Sequence, residues 1–307
     1  MSIVLAVRSR LSVKISLKLA GVLLVLTAGA AAIITVRQTR QMEALTLEKA
    51  KLAAATGARE WGDTFDNAID SGQLSVADVF DRNYREIKGW NWGKNAKYHT
   101  RYDSFTDRAV LVFQDKFLDQ EDFIFAVGVD ENGYLPTHNT IFQRPLTGVP
   151  EQDLAGNRTK RIFDDQGAGL PAAKNTEPFL VTDYRRDTGE RLWDVSSPIF
   201  VKGKHWGGFR IGVSRVRIAA HQRELLLTLI PIFAIFALVT ILTVFLVVQR
   251  AIRPVVALTA AAEAISVGDG LDTPIKSDEV DEIGHLTKAV ERLRVSMRAA
   301  MSRLTGQ

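Results

Sequence analysis

The chain contains no cysteine among its 307 residues. This absence excludes disulfide bonds, metal sites built on thiolates and the covalent attachment of a c-type haem. The sequence also lacks the paired His-carboxylate motif of metalloproteases, the nucleophile elbow of hydrolases and the phosphate-binding P-loop. We therefore expect no enzyme activity, no catalytic residue, no metal ligand and no cofactor, while non-covalent binding of haem or a metal stays open.

Charge is missing from two long stretches of the sequence. Residues 19–36 hold no charged side chain for 18 positions, and residues 225–249 hold none for 25 positions. About 20 apolar residues in a helix cross a hydrocarbon core roughly 30 Å thick, so both stretches are predicted transmembrane helices. A cleaved secretory signal is the alternative for the first. Its apolar run exceeds the usual length and helical sequence follows directly, which favours an uncleaved anchor.

Basic residues beside the two stretches predict their orientation. Residues 1–18 carry four cations and no anion, and Arg250 and Arg253 follow the second stretch directly. Positive charge favours the cytoplasmic side, so we expect both termini in the cytoplasm and residues 37–224 outside it. Three arginines on the outer side of the second stretch argue weakly the other way: Arg215, Arg217 and Arg223. The basic flanks favour anionic lipid as a partner, and no motif indicates nucleic-acid binding.

The remaining pattern predicts helices followed by strands. Residues 37–69 have helical periodicity, which predicts a stalk that ends near Gly72. Apolar residues alternate from Phe123, and the Asn132-Gly133 pair predicts a hairpin with a return strand at Tyr134. Three further strands are predicted at residues 179–186, 191–201 and 206–213. About five antiparallel strands after helices indicate an α+β fold with a meander sheet. Between these parts lie Trp90 and Trp92, which we expect to pack or to touch lipid headgroups.

Four segments resemble the ligand-sensing regions of bacterial methyl-accepting chemotaxis receptors. They are GYLPTHN at 133–139, NRTKRIFDD at 157–165, NTEPF at 175–179 and HWGGFR at 205–210. Their order and spacing are those of the family, and the resemblance covers about residues 123–213. It implies a Cache-like, PAS-related sensor outside a bacterial inner membrane, with a long N-terminal helix against an antiparallel sheet.

Residues 250–303 resemble a HAMP relay domain. The matching positions are a proline after the membrane helix, a glycine ending helix one, two apolar connector residues, and an acidic residue and a glycine opening helix two: Pro254, Gly268, Leu271, Ile275, Glu282 and Gly284. Independently, six apolar residues of helix two are spaced by three or four: Val280, Ile283, Leu286, Val290, Leu293 and Met297. Such a heptad seam needs a partner helix, which predicts a homodimeric four-helix bundle.

The predicted organisation is therefore a basic N-terminus (1–18), a membrane helix (19–36), a sensor domain (37–224), a second membrane helix (225–249), a HAMP domain (250–303) and a short tail (304–307). The sequence ends at Gln307, before the output domain with which such receptors continue. We expect a receptor that senses a small molecule and signals through a separate cytoplasmic kinase or chemoreceptor-type protein. The alternatives are a regulatory or decoy ligand-binding module, or a truncated chemoreceptor.

The candidate ligand-binding residues follow from their chemistry and from the motifs. Arg158 and Arg161 can clamp a carboxylate through bidentate hydrogen bonds, and Asp183 and Asp194 can receive an ammonium group. Tyr134, His138 and Asn139 follow the predicted hairpin, at the expected pocket mouth, and Trp206 can form a wall. The alternatives are structural: the charged residues of 157–165 can brace a long loop by ion pairs, and Tyr134 can belong to the core.

Overall fold

The computed structural model describes residues 11–88, 96–277 and 280–304, which form two compact units. One unit comprises Thr35–Leu226, and the other comprises residues up to Ile34 together with those from Leu227. Trp90, Trp92 and the first ten residues of the predicted basic N-terminus lie outside the described residues, as does most of the predicted tail.

The elements of the first unit mix helices and short and long strands. The helices are α1 (Leu11–Asp70), α2 (Val76–Val79), α3 (Asp103–Ala109), α4 (Leu111–Lys116), α5 (Pro150–Gly156) and α6 (Gly169–Lys174). The strands are β1 (Arg85–Glu86), β2 (Tyr98–His99), β3 (Phe123–Asp130), β4 (Tyr134–Leu135), β5 (Arg161–Ile162), β6 (Leu180–Arg185), β7 (Arg191–Val201) and β8 (Lys204–Ser214). Short 3-10 turns lie at Phe117–Asp119 and Thr140–Phe142. The α+β class predicted from the sequence is confirmed.

An antiparallel four-stranded sheet forms the centre of this unit, in the order β3-β8-β7-β6. The three C-terminal strands form the predicted meander. β3 joins them by pairing with β8, where Val127 lies opposite Arg210. Because side chains alternate between faces, Phe209, Ile211 and Val213 of β8 face one layer, and Arg210 faces the other.

Helix α1 covers one face of the sheet through small and aromatic residues. Ala50, Ala54 and Ala58 are buried, and an added Cβ at Gly57 would lie 2.1 Å from the Phe209 ring. Small residues therefore let the helix backbone approach the sheet. One turn further, the Trp61 ring lies 5.7 Å from that of Trp206.

The segment between β3 and β6 covers the opposite face. Its apolar side chains pack on the outward residues of β3 and β7 to form a second buried cluster of Ile124, Phe125, Val127, Val129, Leu135, Ala173 and Leu192. The predicted hairpin is only half present. Gly133 makes the turn, with φ +81° and its N–H bonded to the Asp130 carbonyl, but β4 then pairs with β5 rather than with β3. β3 pairs with β8 along one edge, as the end strand of its sheet.

The second unit is helical where it is described. Helix α7 (Arg215–Ser266) is continuous through Pro231 and Pro254, so the predicted second membrane stretch and the first helix of the C-terminal pair form one helix. Both α1 and α7 are long and apolar enough to cross a membrane. A connector follows, opened by Gly268 at φ +89°, and leads to α8 (Glu282–Leu304).

Candidate functional site

A small cavity lies on the face of the sheet opposite α1. Four aromatic or aliphatic side chains from β3, β4 and the covering segment line it, together with one tyrosine, one histidine and three arginines. These residues are Phe125, Val127, Leu135, Phe163, Tyr184, His138, Arg158, Arg186 and Arg210. Its space open to a water-sized sphere is about 20 Å³. That volume holds about one water molecule, so the cavity as it stands has no room for an organic ligand.

The guanidinium groups are held by carboxylates and by aromatic rings. Arg158 contacts Asp187 at 2.9 Å, and Arg161 contacts the same carboxylate at 3.3 Å. Their guanidinium carbons lie 5.2 Å and 4.9 Å from the centre of the Phe163 ring. Burial works to raise the pKa of Asp187, but the two arginines outweigh it and lower that pKa.

Arg186 and Arg210 complete the cationic lining. Arg186 lies 3.5 Å from Glu190, and burial together with the charge of Arg158 lowers its pKa to about 10. Arg210 donates from Nε to Asp194 at 2.9 Å inside the sheet. Burial lowers the pKa of Arg210, but the neighbouring Asp194 raises that pKa by more, so the guanidinium stays charged. Among the residues that the structure describes, no carboxylate lines the cavity itself.

His138 faces this cationic lining as a neutral side chain. Its Nδ1 accepts the backbone N–H of Asn139 at 2.8 Å, which assigns the proton to Nε2. Burial, and then the charges of Arg158 and Arg186, hold the pKa of His138 well below its usual value. The ring therefore offers a hydrogen-bond donor without adding charge.

The structure brings some of the predicted ligand residues together and separates others. His138 and Arg158 line the cavity. Arg161 binds the carboxylate of Asp187, as Arg158 does. Asp194 accepts a hydrogen bond from Arg210, which lines the cavity. Asn139 is buried, but its side chain accepts from the Ala126 N–H, so it anchors β3.

The other three predicted residues lie away from the cavity. Tyr134 is in the core against α1 and donates to Asp103 at 2.8 Å. Trp206 packs on Trp61 and donates to the Val79 carbonyl at 2.9 Å. Asp183 is on the surface of β6, bound to Arg191 and Arg215.

The residues that sequence analysis missed come from strands. Arg186 follows β6, Arg210 lies on β8, and Phe125 lies on β3. The signal available was Arg210, the one charged residue in the run of apolar and glycine residues at 206–213 of β8. Whether this residue faces the cavity depends on the strand register, which places Arg210 opposite Ser196 and Val127.

In the second unit, an ion pair within α8 holds the connector through backbone hydrogen bonds. Glu291 accepts the Ile275 N–H at 2.9 Å and binds Arg294 at 2.7 Å, while Arg294 also donates to the Leu271 carbonyl. Hydrogen bonds from Arg294 and Ile275 lower the pKa of Glu291 to about 2. Leu271 and Ile275 are the predicted connector positions.

The start of α8 is capped by Asp281. Its carboxylate accepts the N–H groups of Ile283 at 2.9 Å and Gly284 at 3.1 Å. This is the usual arrangement of an N-cap aspartate. Glu282 is the first residue of the helix, where a negative charge is favoured by the helix dipole.

Two solved structures have a limited similarity to the chain. The crystal structure of the E. coli DcuS sensor domain is 20% identical, with a TM-score of 0.27, over 38% of this chain and 72% of that chain. An extracellular ligand binding receptor from Desulfohalobium retbaense DSM5692 is 14% identical, with a TM-score of 0.32, over 61% of this chain and 25% of that chain. These TM-scores are too low to carry an argument. No curated protein matches the chain.

A family model for the HAMP domain matches residues 246–299, close to the predicted 250–303. The match covers the end of α7, the connector and α8 as far as residue 299. It therefore includes the helix start capped by Asp281 and the connector that is bonded to Glu291 and Arg294. Together with two helices able to span a membrane, it indicates a signalling receptor rather than a catalytic fold. The chain thus carries a HAMP signal-transduction domain at residues 246–299 and, as expected of a Cache-like sensor, an antiparallel sheet packed against the later part of α1, which with α7 is one of its two candidate membrane-spanning helices.

Proposed function

We propose that the chain is a bacterial inner-membrane receptor that binds a small organic carboxylate at the arginine-lined cavity. The observation that carries this proposal is the convergence of Arg158, Arg186 and Arg210 with the neutral donor His138 on one cavity. Guanidinium groups bind carboxylates through paired, charge-assisted hydrogen bonds. The two membrane helices would place residues 37–224 outside the membrane, with both termini in the cytoplasm.

The closed cavity supports a receptor with two states. A carboxylate must displace part of the lining to enter, so it would stabilise an open form relative to the closed one. A ligand shifts such an equilibrium only by its difference in affinity for the two forms. Arg210 lies on β8, and α7 begins directly after that strand, which supports a route from the site to the HAMP domain.

The HAMP domain supports a homodimer and a relay to a cytoplasmic signalling protein, such as a kinase or a chemoreceptor-type protein. On the single chain, Leu286 and Leu293 of the heptad seam are 43% and 54% exposed. An apolar seam of this period is normally buried against a second helix. Loss of both the dimer and the downstream response in seam variants would support this part of the proposal.

Thermal unfolding of the full chain in lipid nanodiscs tests ligand binding. Sodium acetate and sodium butyrate should raise the midpoint, because a ligand bound only by the folded state stabilises it by mass action. Methylammonium chloride should not raise it. Arg186→Met should abolish the shift, while Arg191→Met, at an exposed arginine paired with Asp183, should keep it.

Two further outcomes bear on this test. Arg158→Lys keeps a cation but loses the bidentate geometry, so a reduced shift with unchanged unliganded stability would support direct contact. Equal shifts in wild type, Arg186→Met and Arg191→Met would contradict the carboxylate site, as would protection by the amine.

A further inference from the structure

The ring of Phe142 lines a larger pocket at the surface and contacts two residues of the arginine-lined cavity. On its inner side, the ring centre lies 4.6 Å from that of His138 and 4.8 Å from the guanidinium carbon of Arg186. On its outer side, the same residue lines a surface pocket of about 480 Å³. The residue is half-buried and reaches the cavity through these two contacts rather than as part of its lining.

The backbone and the side chain of Phe142 are held differently. Its N–H donates to the Asn139 carbonyl at 2.9 Å, and its carbonyl accepts from the Arg158 N–H at 2.8 Å. The ring is held by the neighbouring rings and by the cation–π contact with Arg186. Rotation about the side-chain bonds would therefore leave both backbone hydrogen bonds intact.

The contact with Arg186 links the ring to ligand binding. An anion that binds this guanidinium competes for the same charge that attracts the ring face. Arrival of a carboxylate thus weakens the contact that holds the ring across the cavity. Once the ring turns, the two spaces join.

The surface pocket has an apolar floor. Ile141, Pro145 and Ala155 line it beside Phe142, and Arg144 lines it as well. Its carboxylate, Asp153, is engaged by the N–H groups of Thr147 at 2.7 Å and Gly148 at 2.9 Å. The apolar part of this lining, next to Phe142, suits an aliphatic group.

We propose that Phe142 is a movable partition, and that the opened site takes a carboxylate with an aliphatic chain. The carboxylate lies on the arginines and His138, and the chain extends past Phe142 toward Ile141 and Pro145. This inference rests on the proposed function and adds the ligand class and the entry route. It also accounts for a carboxylate site whose closed form holds about one water molecule.

Binding of linear alkanoates to the full chain in nanodiscs tests the proposal. Acetate, butyrate and hexanoate are compared by equilibrium affinity and by stopped-flow tryptophan fluorescence. In wild type, affinity should rise with chain length, up to about fourfold for each CH₂ that becomes buried. Phe142→Ala should speed acetate association about tenfold or more, because the partition is gone.

Ile141→Ala is the matched control, since Ile141 lines the same surface pocket but has no ring to lie against His138 and Arg186. It should leave the affinity and rate for acetate unchanged and reduce the gain from acetate to hexanoate severalfold. Phe142→Leu keeps an apolar side chain without a ring face for Arg186, so its acetate association rate should fall between those of wild type and Phe142→Ala.

The outcomes separate this inference from the proposed function. Acetate binding without a chain-length gain, or with wild-type rates in Phe142→Ala and Phe142→Leu, would overturn the partition and leave the carboxylate site standing. Absence of binding by all three alkanoates to wild type would overturn both.

Discussion

At the scale of single residues, Asp183 and Asp194 look alike in the sequence but have different environments. Asp194 is buried in the sheet against Arg210, whereas Asp183 is exposed and bound to Arg191 and Arg215. Asp194→Ala leaves a buried guanidinium without its partner, so we expect a loss of about 3 kcal/mol in unfolding free energy.

Asp183→Ala is the matched control for this prediction. An exposed ion pair contributes little, about 0–1 kcal/mol. Chemical denaturation of the two variants and wild type measures the difference. Equal losses would mean that the buried pair does not have the role described for it.

Burial of neutral His138 predicts a specific pH dependence. The unfolded chain protonates this residue as pH falls through about 6.5, whereas the folded chain keeps it neutral to much lower pH. The unfolded state therefore binds more protons, and stability falls as pH drops below about 6.5, at up to about 1.4 kcal/mol per pH unit. His138→Gln should remove this part of the pH dependence.

The measurement is unfolding free energy from pH 7 to pH 5 in wild type and His138→Gln. The difference between their slopes isolates His138 from carboxylates that titrate in the same range. His285→Gln, at an exposed position, serves as the control. A slope in His138→Gln equal to that of wild type would contradict a neutral buried histidine.

The sequence predicted those site residues that lie within recognisable motif segments. Arg158 and His138 were predicted from motif segments, and both line the cavity. Arg186 and Arg210 could not be assigned to it, because their place depends on strand register. Trp206 has the size expected of a pocket wall, yet it packs on Trp61, because the register of β8 with β7 shifts between Ile199 and Phe200 and breaks the alternation that would place it on the face of Arg210.

At the scale of elements, the turn after β3 sets the position of the covering segment. Gly133 has φ +81°, and an added Cβ would lie 2.3 Å from the Phe163 carbonyl oxygen. Gly72 also has a positive φ, +72°, but has open space around it. Gly72→Ala should cost about 1 kcal/mol from conformation alone.

Gly133→Ala adds a backbone collision to the same conformational cost. We expect a loss of about 3 kcal/mol and a weaker carboxylate response, since Phe163 lines the cavity. Thermal unfolding and acetate binding measure the two effects. Equal stability of Gly133→Ala and Gly72→Ala would argue against the close approach.

The connector of the HAMP domain supplies a second prediction at this scale. Glu291→Ala removes both the acceptor for the Ile275 N–H and the partner of Arg294. Hydrogen exchange at the Ile275 amide should therefore become severalfold faster. Arg298→Ala breaks an exposed contact with Asp272 in the same connector and should leave that exchange unchanged.

Patterns within one element were more predictive than pairings between elements. The three C-terminal strands, the helix break near Gly72 and the acidic start of α8 follow from local periodicity and turn residues. The hairpin at Gly133 was wrong in its pairing, because β4 pairs with β5 and β3 pairs with β8, which comes more than 70 residues later. Such a long-range competitor leaves no trace in the local sequence.

At the scale of the whole molecule, the absence of cysteine makes the proposed homodimer directly testable. Leu293→Cys places one thiol on the heptad seam, and oxidation in membranes should cross-link two chains. Val295→Cys is equally exposed, 52% against 54%, but lies two residues away, about 200° around the helix. It should cross-link far less.

Because the chain has no cysteine of its own, each variant carries one thiol. The cross-linking yields of the two variants therefore differ only through the position of that thiol. Equal cross-linking at the two positions would indicate random collision rather than a seam. Carboxylate added before oxidation should change the yield at Leu293→Cys if the receptor passes its signal to the HAMP domain.

The direct junction between β8 and α7 has a consequence for the length of the chain. Ser214 is the last residue of the strand and Arg215 the first of the helix, so no spare residue lies between them. One inserted residue would turn every later side chain of α7 by about 100° about its axis and shift it by about 1.5 Å. Seven inserted residues would restore the facing to within about 20° while adding about 10 Å. Insertions at this point therefore change the rotation of α7 and its axial position independently. An insertion series would distinguish a receptor that signals by rotating this helix from one that signals by sliding it.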